Sequence, residues 1–414
     1  LAGSPALSGA LAFFVAGYLG TALSWRYSFG ILTLVSFLVF FLSFRMKNIP
    51  GEKGIQIDGV GALLSGVAIV LISFGFNNLN SWGLVAATEA APFDLLGLSP
   101  APFMIVLGLV LGWGFFAWSN RRVAQEQVPL LAVEMLASSR EKATILALLV
   151  IGALGPAVNF LIPLYIQIVQ GRTSLFTAVA VVPYTLTIAA SAMLVVRLYD
   201  RFNPRQIAMS GFAIVAVGLA LLAVTISNEW NTAVVILGLI MVGLGEGSLL
   251  TLLFNVMVTS APKELAGDVG ALRGVANNLS TGLGTAFAGV VAVGLLSLFV
   301  TSALMQSTIP DSLKAQVNLN NINFISNDQL ETVLLETDAT PDQVAEAIHI
   351  NETNRLRALR ASFLILATLS LVGLLPATGL PNYAPGEIPP TPATMKERRS
   401  IRKKLRSLTQ RAST

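Results

Sequence analysis

Residues 175–196 read LFTAVAVVPYTLTIAASAMLVV, a run of 22 residues without one charged side chain. A helix rises about 1.5 Å per residue, so about 20 apolar residues cross the hydrocarbon core of a bilayer. This run is long enough to cross it. A buried strand or a short core helix needs far fewer apolar residues in sequence. The run therefore predicts a membrane-spanning helix.

The same kind of segment recurs along the whole chain. Lipid offers no partner for a free backbone N–H or C=O, so each span must be a helix or part of a closed barrel. Runs this uniformly apolar, without in/out alternation, favour helix over barrel strand. Ten segments meet the length requirement: Ala6–Leu23, Phe29–Phe44, Gly59–Phe76, Phe103–Ser119, Ala143–Val169, Leu175–Val196, Ile207–Ile226, Ala233–Val258, Gly270–Val300 and Phe363–Leu380.

Composition supports the same fold class. The 414 residues are 54% hydrophobic and 12% charged, whereas a soluble domain carries about 25% charged residues. So few charges cannot cover a water-facing surface. The sequence thus predicts an all-α integral membrane protein, a bundle of about ten transmembrane helices.

Lys and Arg residues near the spans predict the orientation, because they accumulate on the cytoplasmic side. If the first span runs outward, 20 of the 26 Lys and Arg residues lie inside, eight of them in the tail from Lys396 onward. We therefore expect a multi-pass protein of a cell membrane, a bacterial inner membrane, with a basic cytoplasmic tail. The tail either contacts anionic headgroups or serves as a topology signal.

The predicted outer loops differ in character. Residues 77–102 contain Pro and Gly and are expected to be irregular. In the longer loop, residues 301–360, Thr340 followed by Pro341 is typical of a helix N-cap. We expect one amphipathic helix there, lying over the outer mouth, or else a solvated cap without chemistry.

Several kinds of chemistry are excluded by residue content. The chain has no cysteine and a single histidine, His349, so no thiol nucleophile or Cys-rich metal site can form, and no metal is expected. No Gly-rich phosphate loop of the GxxxxGK[ST] type is present. We expect no enzyme activity and no cofactor, and any transport must draw on an ion gradient.

Ionisable groups at membrane depth are costly and are therefore candidates for function. Glu246 lies near the middle of the eighth span, where it could bind a proton or a cation, or be a neutral acid bonded to a neighbouring helix. Asp58, at a span entrance, is interpreted as a cap or a latch. Polar side chains of the path are predicted at Asn159, Gln167 and Tyr165. Weaker candidates are Tyr184, Asn255, Asn277 and Asn278, with Phe160 and Phe254 as aromatic surface.

Residues 196–205 read VRLYDRFNPR between two predicted spans. This stretch resembles the G-R-L-x-D-R-x-G-x-R loop of the major facilitator superfamily. Two glycines of that pattern are replaced, by Val196 and Asn203. The resemblance implies a major facilitator-type helical bundle and a cytoplasmic latch formed by Arg197, Asp200, Arg201 and Arg205.

Further stretches resemble one branch, the fourteen-span drug:proton antiporters that include multidrug and quaternary-ammonium exporters. They are WRYSF at 25–29, DGVGALL at 58–64, PLYIQ at 163–167 and GLGEG at 243–247. The resemblance implies that the first four spans are lacking. It divides the chain into the last two spans of the N-terminal bundle (1–45), a two-span linker region (46–140), a C-terminal six-span bundle (141–380) and the basic tail (381–414).

The function implied by this resemblance is proton-coupled export of small, lipophilic or cationic compounds by alternating access between two helical bundles. The expected partners are the small-molecule substrate and the lipid bilayer, with no nucleic acid. Two alternatives remain open at this point. The chain could be a solute importer of the same superfamily or a truncated membrane scaffold that does not transport.

Overall fold

The computed structural model describes residues 4–46, 58–125, 127, 129–131, 139–229, 232–260, 266–310, 324–337 and 339–382. These residues are nearly all helical. Among them, nine helices are long and apolar enough to cross a membrane, and strand pairing is limited to two isolated bridges within residues 86–98. The predicted basic tail, 381–414, lies outside the described residues except for its first two positions. The all-α membrane fold class is confirmed.

Nine of the ten predicted spans overlap one of these nine helices; the fifth includes a π-helical turn and the last includes a short terminal helix. The first predicted span, Ala6–Leu23, overlaps a helix that is not among the nine, so it stays a prediction. The helices are α1 Ser4–Ala22, α2 Trp25–Ser43, α3 Gly59–Trp82, α4 Pro100–Ala124, α5 Ser139–Leu164, a π-helical turn Tyr165–Val169, α6 Ser174–Leu198, α7 Pro204–Thr225, α8 Thr232–Ser260, α9 Ala266–Gln306, α10 Asn327–Leu335, α11 Pro341–Val372 and α12 Leu374–Thr378.

The predicted outer loops are more helical than expected. Helix α3 continues to Trp82 and α4 begins at Pro100, so the irregular part is confined to residues 83–99. Thr340 is the N-cap of α11, and its hydroxyl accepts a hydrogen bond from the backbone N–H of Gln343. The amphipathic helix and the last span are one continuous helix rather than two. No Gly or Pro interrupts residues 342–372, so nothing in the backbone ends the helix at the membrane surface.

The predicted outer region is tied together by polar contacts. Glu346 on α11 accepts hydrogen bonds from the backbone N–H and the hydroxyl of Thr308, just after α9, at 3.0 and 2.5 Å. Arg355 is buried on α11 and donates from Nη1 to the carbonyl oxygen of Ile325 at 2.8 Å. Since Ile325 precedes α10, this contact holds α10 onto α11.

Helices α5 to α9 and α11 share one hydrophobic core. Close approach between α7 and α8 depends on glycine, because a Cβ added at Gly218 would lie 2.9 Å from the Cβ of Met241. On α8, a Cβ at Gly238 would lie 2.8 Å from the side chain of Leu222. Small residues let helix backbones approach in lipid, where packing replaces the hydrophobic effect.

The four preceding helices pack less extensively. Helices α3 and α4 form a hairpin. In it, Gly75 of α3 packs against Ile105 of α4, and Gly108 of α4 packs against Ile72 of α3. Helix α2 contains no buried residue. Helix α1 reaches α6 through Gly17, and the backbone N–H of Leu175 donates to the Thr21 hydroxyl at 3.3 Å. The division at 1–45, 46–140 and 141–380 stays a prediction.

Candidate functional site

Glu246 is buried inside the six-helix bundle, with 7% of its surface exposed. It lies on α8, near the middle of the helix. The phenol of Tyr184, on α6, donates to Glu246 Oε2 at 2.5 Å. The acid and its donor are 62 residues apart in sequence. A buried carboxyl group therefore links two membrane helices directly.

Helix α5 completes the site from a third side. The Asn159 side chain lies beside the same Tyr184 phenol, and Asn159 is half-buried. One turn earlier, Gly155 faces the carboxyl group, and a Cβ at this position would overlap Glu246 Oε1. Because Gly155 has no side chain, the glutamate can lie against the α5 backbone. Three helices thus converge on one acid.

The glycines beside Glu246 bring the helices together. A Cβ at Gly243 would lie 2.7 Å from the Tyr184 carbonyl oxygen, and one at Gly247 would overlap the Ser191 hydroxyl, both on α6. Gly245 faces α7 and meets Val215. These glycines allow α8 to pack closely against α6 and α7.

Proline residues stand next to two members of the site. Pro156 follows Gly155 in α5, and Pro183 precedes Tyr184 in α6. Proline lacks an N–H, so it removes one backbone hydrogen bond from a helix interior and weakens the helix there. Both helices are therefore less regular at the level of Glu246.

The arrangement has the features of a proton site. The carboxyl group accepts a hydrogen bond from a neutral phenol, and no Lys or Arg forms an ion pair with it within the part of the chain that the structure describes. An acid buried in a membrane without a cation is expensive as an anion. Proton uptake would remove that cost, and proton loss would restore it.

Two of the predicted path residues lie elsewhere. Tyr165 is buried in the π-helical turn, and its phenol donates to the carbonyl oxygen of Ser227 at 2.9 Å. Gln167 is half-buried, and its Oε1 accepts from the Ser174 hydroxyl at 3.3 Å. Both contacts tie the end of α5 to neighbouring helix ends.

Tyr184 was a weaker candidate in the sequence, and Gly155 was not a candidate at all. The signal for Tyr184 was a phenol beside a proline in an otherwise apolar span. Gly155 gave no comparable signal, because its importance depends on which residue of another helix faces it. The structure thus brings Glu246 and Asn159 together and adds these two residues.

The predicted latch residues lie around the turn between α6 and α7. Arg197, Asp200 and Arg201 are exposed, and Arg205 is half-buried. Over the described ranges, none of the four forms an ion pair. Asn203 caps α7 by accepting from the backbone N–H of Gln206 at 2.8 Å. The latch role stays a prediction.

Asp58 is a second buried acid, at the start of α3, with 3% of its surface exposed. As expected for a cap, its Oδ1 accepts from the backbone N–H of Gly61 at 2.9 Å. It also accepts from Trp118 Nε1 at 3.0 Å and from the backbone N–H of Leu130 at 3.3 Å. Arg122 Nε lies 3.6 Å from Oδ2. The carboxylate therefore holds α3, the end of α4 and the following segment together.

Opposing effects set the pKa of Asp58. Burial raises it, whereas the hydrogen bonds from Gly61, Trp118 and Leu130 and the charge of Arg122 lower it. The lowering effects together prevail, so the pKa lies below its ordinary value. Asp58 is a fixed carboxylate at neutral pH.

Residues 2–285, more than half of the chain, match the family model described as Major Facilitator Superfamily. The chain belongs to the major facilitator superfamily. Together with its spans, this membership makes the chain a multi-pass protein of the cell membrane. The resemblance found in residues 196–205 is thereby confirmed at the level of the superfamily.

Named relatives within the superfamily are similar at low identity. The chain is 26% identical over 264 residues to a "Tetracenomycin C resistance and export protein" of Streptomyces glaucescens, covering 63% of this chain and 45% of the relative. It is 25% identical over 297 residues to "Multidrug resistance protein Stp" of Mycobacterium tuberculosis, strain CDC 1551 / Oshkosh, covering 71% and 51%. The chain thus spans about half the length of the curated relatives it matches.

A solved structure is also similar. It is described as a bacterial homolog to human lysosomal transporter, Spinster, in inward-facing and occupied conformation, with a TM-score of 0.41 and 15% identity. The match covers 76% of this chain and 66% of the other. Membership in the superfamily is shown by the match of residues 2–285 to the family model and not by this structural similarity.

Proposed function

We propose that the chain forms part of a proton-coupled secondary transporter that exports small lipophilic or cationic compounds by alternating access. The observation that carries this proposal is the buried acid Glu246, held by Tyr184 across the α6–α8 contact at 2.5 Å. The proton gradient replaces a chemical cofactor. Relatives that bear the names of export and multidrug resistance proteins support the outward direction.

The proposed coupling step is a change of protonation at Glu246. In the charged state the carboxylate accepts the Tyr184 hydrogen bond and draws α6 and α8 together. In the protonated state the carboxyl group is itself a hydrogen-bond donor. It carries no negative charge that the Tyr184 phenol must stabilise. A ligand shifts an equilibrium between conformers by its differential affinity for them. The proton therefore favours one arrangement of α5, α6 and α8 over the other.

Alternating access also needs a contact that differs between conformers at the membrane surface. We place this contact at Arg197, Asp200, Arg201 and Arg205, which carry three positive charges and one exposed negative charge in α6, α7 and the turn between them. Charge-assisted hydrogen bonds of such groups can form in one conformer and break in the other. The protonation state of Glu246 would set the free-energy difference between the inward and outward states, and this turn would stabilise one of the two states.

The test is proton movement driven by substrate in everted membrane vesicles that contain the protein. Adding a substrate to energised vesicles should release protons from the lumen, which a pH-sensitive dye reports. Glu246→Gln keeps the size of the side chain but cannot exchange a proton, so it should abolish the dye signal. Tyr184→Phe removes only the donor and should weaken the signal without abolishing it.

Two results would overturn the proposal. Substrate-driven proton release at the wild-type level in Glu246→Gln would remove the proton site. Substrate accumulation in the opposite direction, from the vesicle lumen to the bath, would identify an importer. Protein levels measured by immunoblot ensure that a lost signal reflects activity and not the amount of protein inserted.

A further inference from the structure

The first half of α9 carries an exposed stripe of polar side chains. Arg273, Asn277, Thr281 and Thr285 recur every four residues and are all exposed. Residues four apart lie on one face of a helix. Asn278, also exposed, lies beside them. These five residues form a polar stripe.

The same ridge of α9 is covered further along the helix. Gly289 is buried and Val293 is half-buried, although they continue the four-residue spacing of the stripe. The polar residues are thus open at the end of α9 that is predicted to be cytoplasmic, and the ridge closes toward the predicted outer end. The exposed, polar part of this ridge is therefore confined to one end of the membrane helix.

Other helices of the bundle expose a different kind of residue. The exposed positions of α6 include Leu186 and Met193, and those of α7 include Val217 and Val224. Such apolar side chains suit contact with lipid. Exposed amides and a guanidinium on a membrane helix do not, because polar groups that face hydrocarbon lose their hydrogen bonds to water. The polar stripe must therefore face water or polar protein groups.

One charge on the polar stripe is available to a ligand. The Cζ atom of Arg273 lies 3.9 Å from the centroid of the Phe254 ring on α8. Arg273 makes no ion pair within the described ranges. The nearest functional acid on α8 is committed elsewhere, because the Glu246 carboxyl group faces Tyr184 and Gly155. The open surface thus offers a cation, an aromatic ring, amides and hydroxyls, and no carboxylate on the stripe itself.

We propose that the polar stripe lines the cytoplasmic part of the transport path and that Arg273 and Phe254 select planar aromatic molecules carrying an acidic oxygen, a carboxylate or a phenolate. A guanidinium binds two oxygens in one plane and stacks on aromatic faces. Arg273 already covers one face of the half-buried Phe254 ring at 3.9 Å, so a bound aromatic ring would stack on the guanidinium plane. This inference rests on the proposed export function and narrows its substrate class from lipophilic or cationic compounds to aromatic acids.

The first test measures whether the polar stripe is accessible to water. The chain has no cysteine of its own, so Asn277→Cys, Thr281→Cys and Thr285→Cys each introduce a single thiol. A charged, membrane-impermeant thiol reagent added at the cytoplasmic side of vesicles should modify them faster, by about tenfold or more, than the controls Leu186→Cys and Val217→Cys, because thiols react as thiolates, which need water. Labelling as slow as in these controls would overturn the proposal.

The second test asks for selectivity. The probes are anthracene-9-carboxylate, a planar aromatic acid, and tetraphenylphosphonium, a lipophilic cation. Arg273→Gln should lower the ratio of acid to cation transport by about tenfold, as expected for one lost charge-assisted contact. Arg273→Lys, which keeps the charge, should retain part of that ratio. The control is Arg357→Gln, because Arg357 also stacks on a phenylalanine, Phe299, at 4.3 Å but lies toward the other end of the bundle.

The outcomes separate the two proposals. If the wild type moves the cation but not the acid, or if Arg273→Gln leaves the ratio unchanged, the selectivity inference fails while export stands. If the wild type moves neither probe and also gives no substrate-driven proton signal with any compound, the proposed function fails. If Arg357→Gln changes the ratio as much as Arg273→Gln, the effect is not specific to the stripe, and the inference is overturned.

Discussion

Two acids are nearly equally buried in this protein, yet their surroundings give them opposite properties. Asp58 has 3% of its surface exposed and Glu246 has 7%. Asp58 accepts three hydrogen bonds from N–H donors and has Arg122 beside it. Glu246 accepts a hydrogen bond from a phenol on another helix. Burial alone therefore does not tell a structural acid from an exchangeable one.

The two acids differ in their hydrogen-bond donors and in their depth in the membrane. Asp58 stands at the entrance of a span, where backbone N–H groups at a helix start and an arginine stabilise a permanent charge. Glu246 stands in the middle of a span among glycines and apolar residues, where a permanent charge is costly. The first carboxylate holds two helices together, and the proposed function assigns proton exchange to the second. Four predictions test this contrast, in order of decreasing effect.

The largest effect is expected for Asp58→Ala on stability. The change removes three hydrogen bonds to a charged acceptor and leaves Arg122 without its carboxylate, which should destabilise the protein by about 2–4 kcal/mol. Thermal unfolding in detergent measures the loss. The control is Asp94→Ala, because Asp94 is an exposed loop acid whose carboxylate accepts from the backbone N–H of Gly97. Equal stability of the two variants would remove the structural role of Asp58.

A smaller effect is expected for Gly155→Ala, on transport. The added methyl group overlaps the Glu246 carboxyl group, and overpacking of about 1–3 kcal/mol should slow transport by about tenfold or more. Gly294→Ala is the matched control, since a Cβ there meets nothing within 4 Å. Transport rates per inserted molecule should separate the two variants. A Gly155→Ala protein as active as Gly294→Ala would mean that the position of Glu246 is not critical.

Asp200→Asn should reduce transport by about threefold, an effect below 1 kcal/mol, and should leave insertion intact. Asp200 is exposed, so its loss weakens a contact of one conformer without creating a buried defect. Efflux assays with matched protein levels measure the change, and Asp200→Glu, which keeps the charge, should recover most of the rate. Normal efflux in Asp200→Asn would remove the latch hypothesis.

The smallest effect is a pH dependence that should be absent. The folded-state pKa of Asp58 is lowered from its ordinary value, which is about 3.9 in a free chain. Its contribution to stability is therefore present above about pH 4 and is lost as the pH falls through the lower folded-state value. The difference in unfolding temperature between wild type and Asp58→Ala should stay constant from about pH 5 to pH 8. A difference that changes within this range would mean that Asp58 titrates there.

The helix boundaries were largely predictable because their causes are local. Asp58 and Thr340 both act as N-caps, as their residue types and positions indicate. Length and apolarity alone located the nine helices that can cross a membrane. The continuity of α11 was missed, because the polar first half and the apolar second half were read as two elements. A change of solvent along a helix does not end it when no residue breaks the backbone.

The candidate site was predictable in part. Glu246 was found from its charge at membrane depth, which is a property of the sequence. Its partner Tyr184 was one of several polar residues in spans, and nothing in the sequence selected it. Tyr165 had the same chemistry and lies at a helix end bonded to the Ser227 carbonyl oxygen instead. The phenol that the sequence favoured less is thus the one that contacts Glu246.

The sequence by itself determined that the chain crosses a membrane as helices, which segments form them, and which acid is buried within them. These properties follow from hydropathy, residue type and spacing along one segment. Only the tertiary structure decided that Glu246 meets Tyr184 and Gly155, that α8 packs closely on α6 and α7, and that the polar stripe of α9 stays open. Such contacts depend on how each helix is rotated and crossed against its neighbours, which side-chain packing between segments sets.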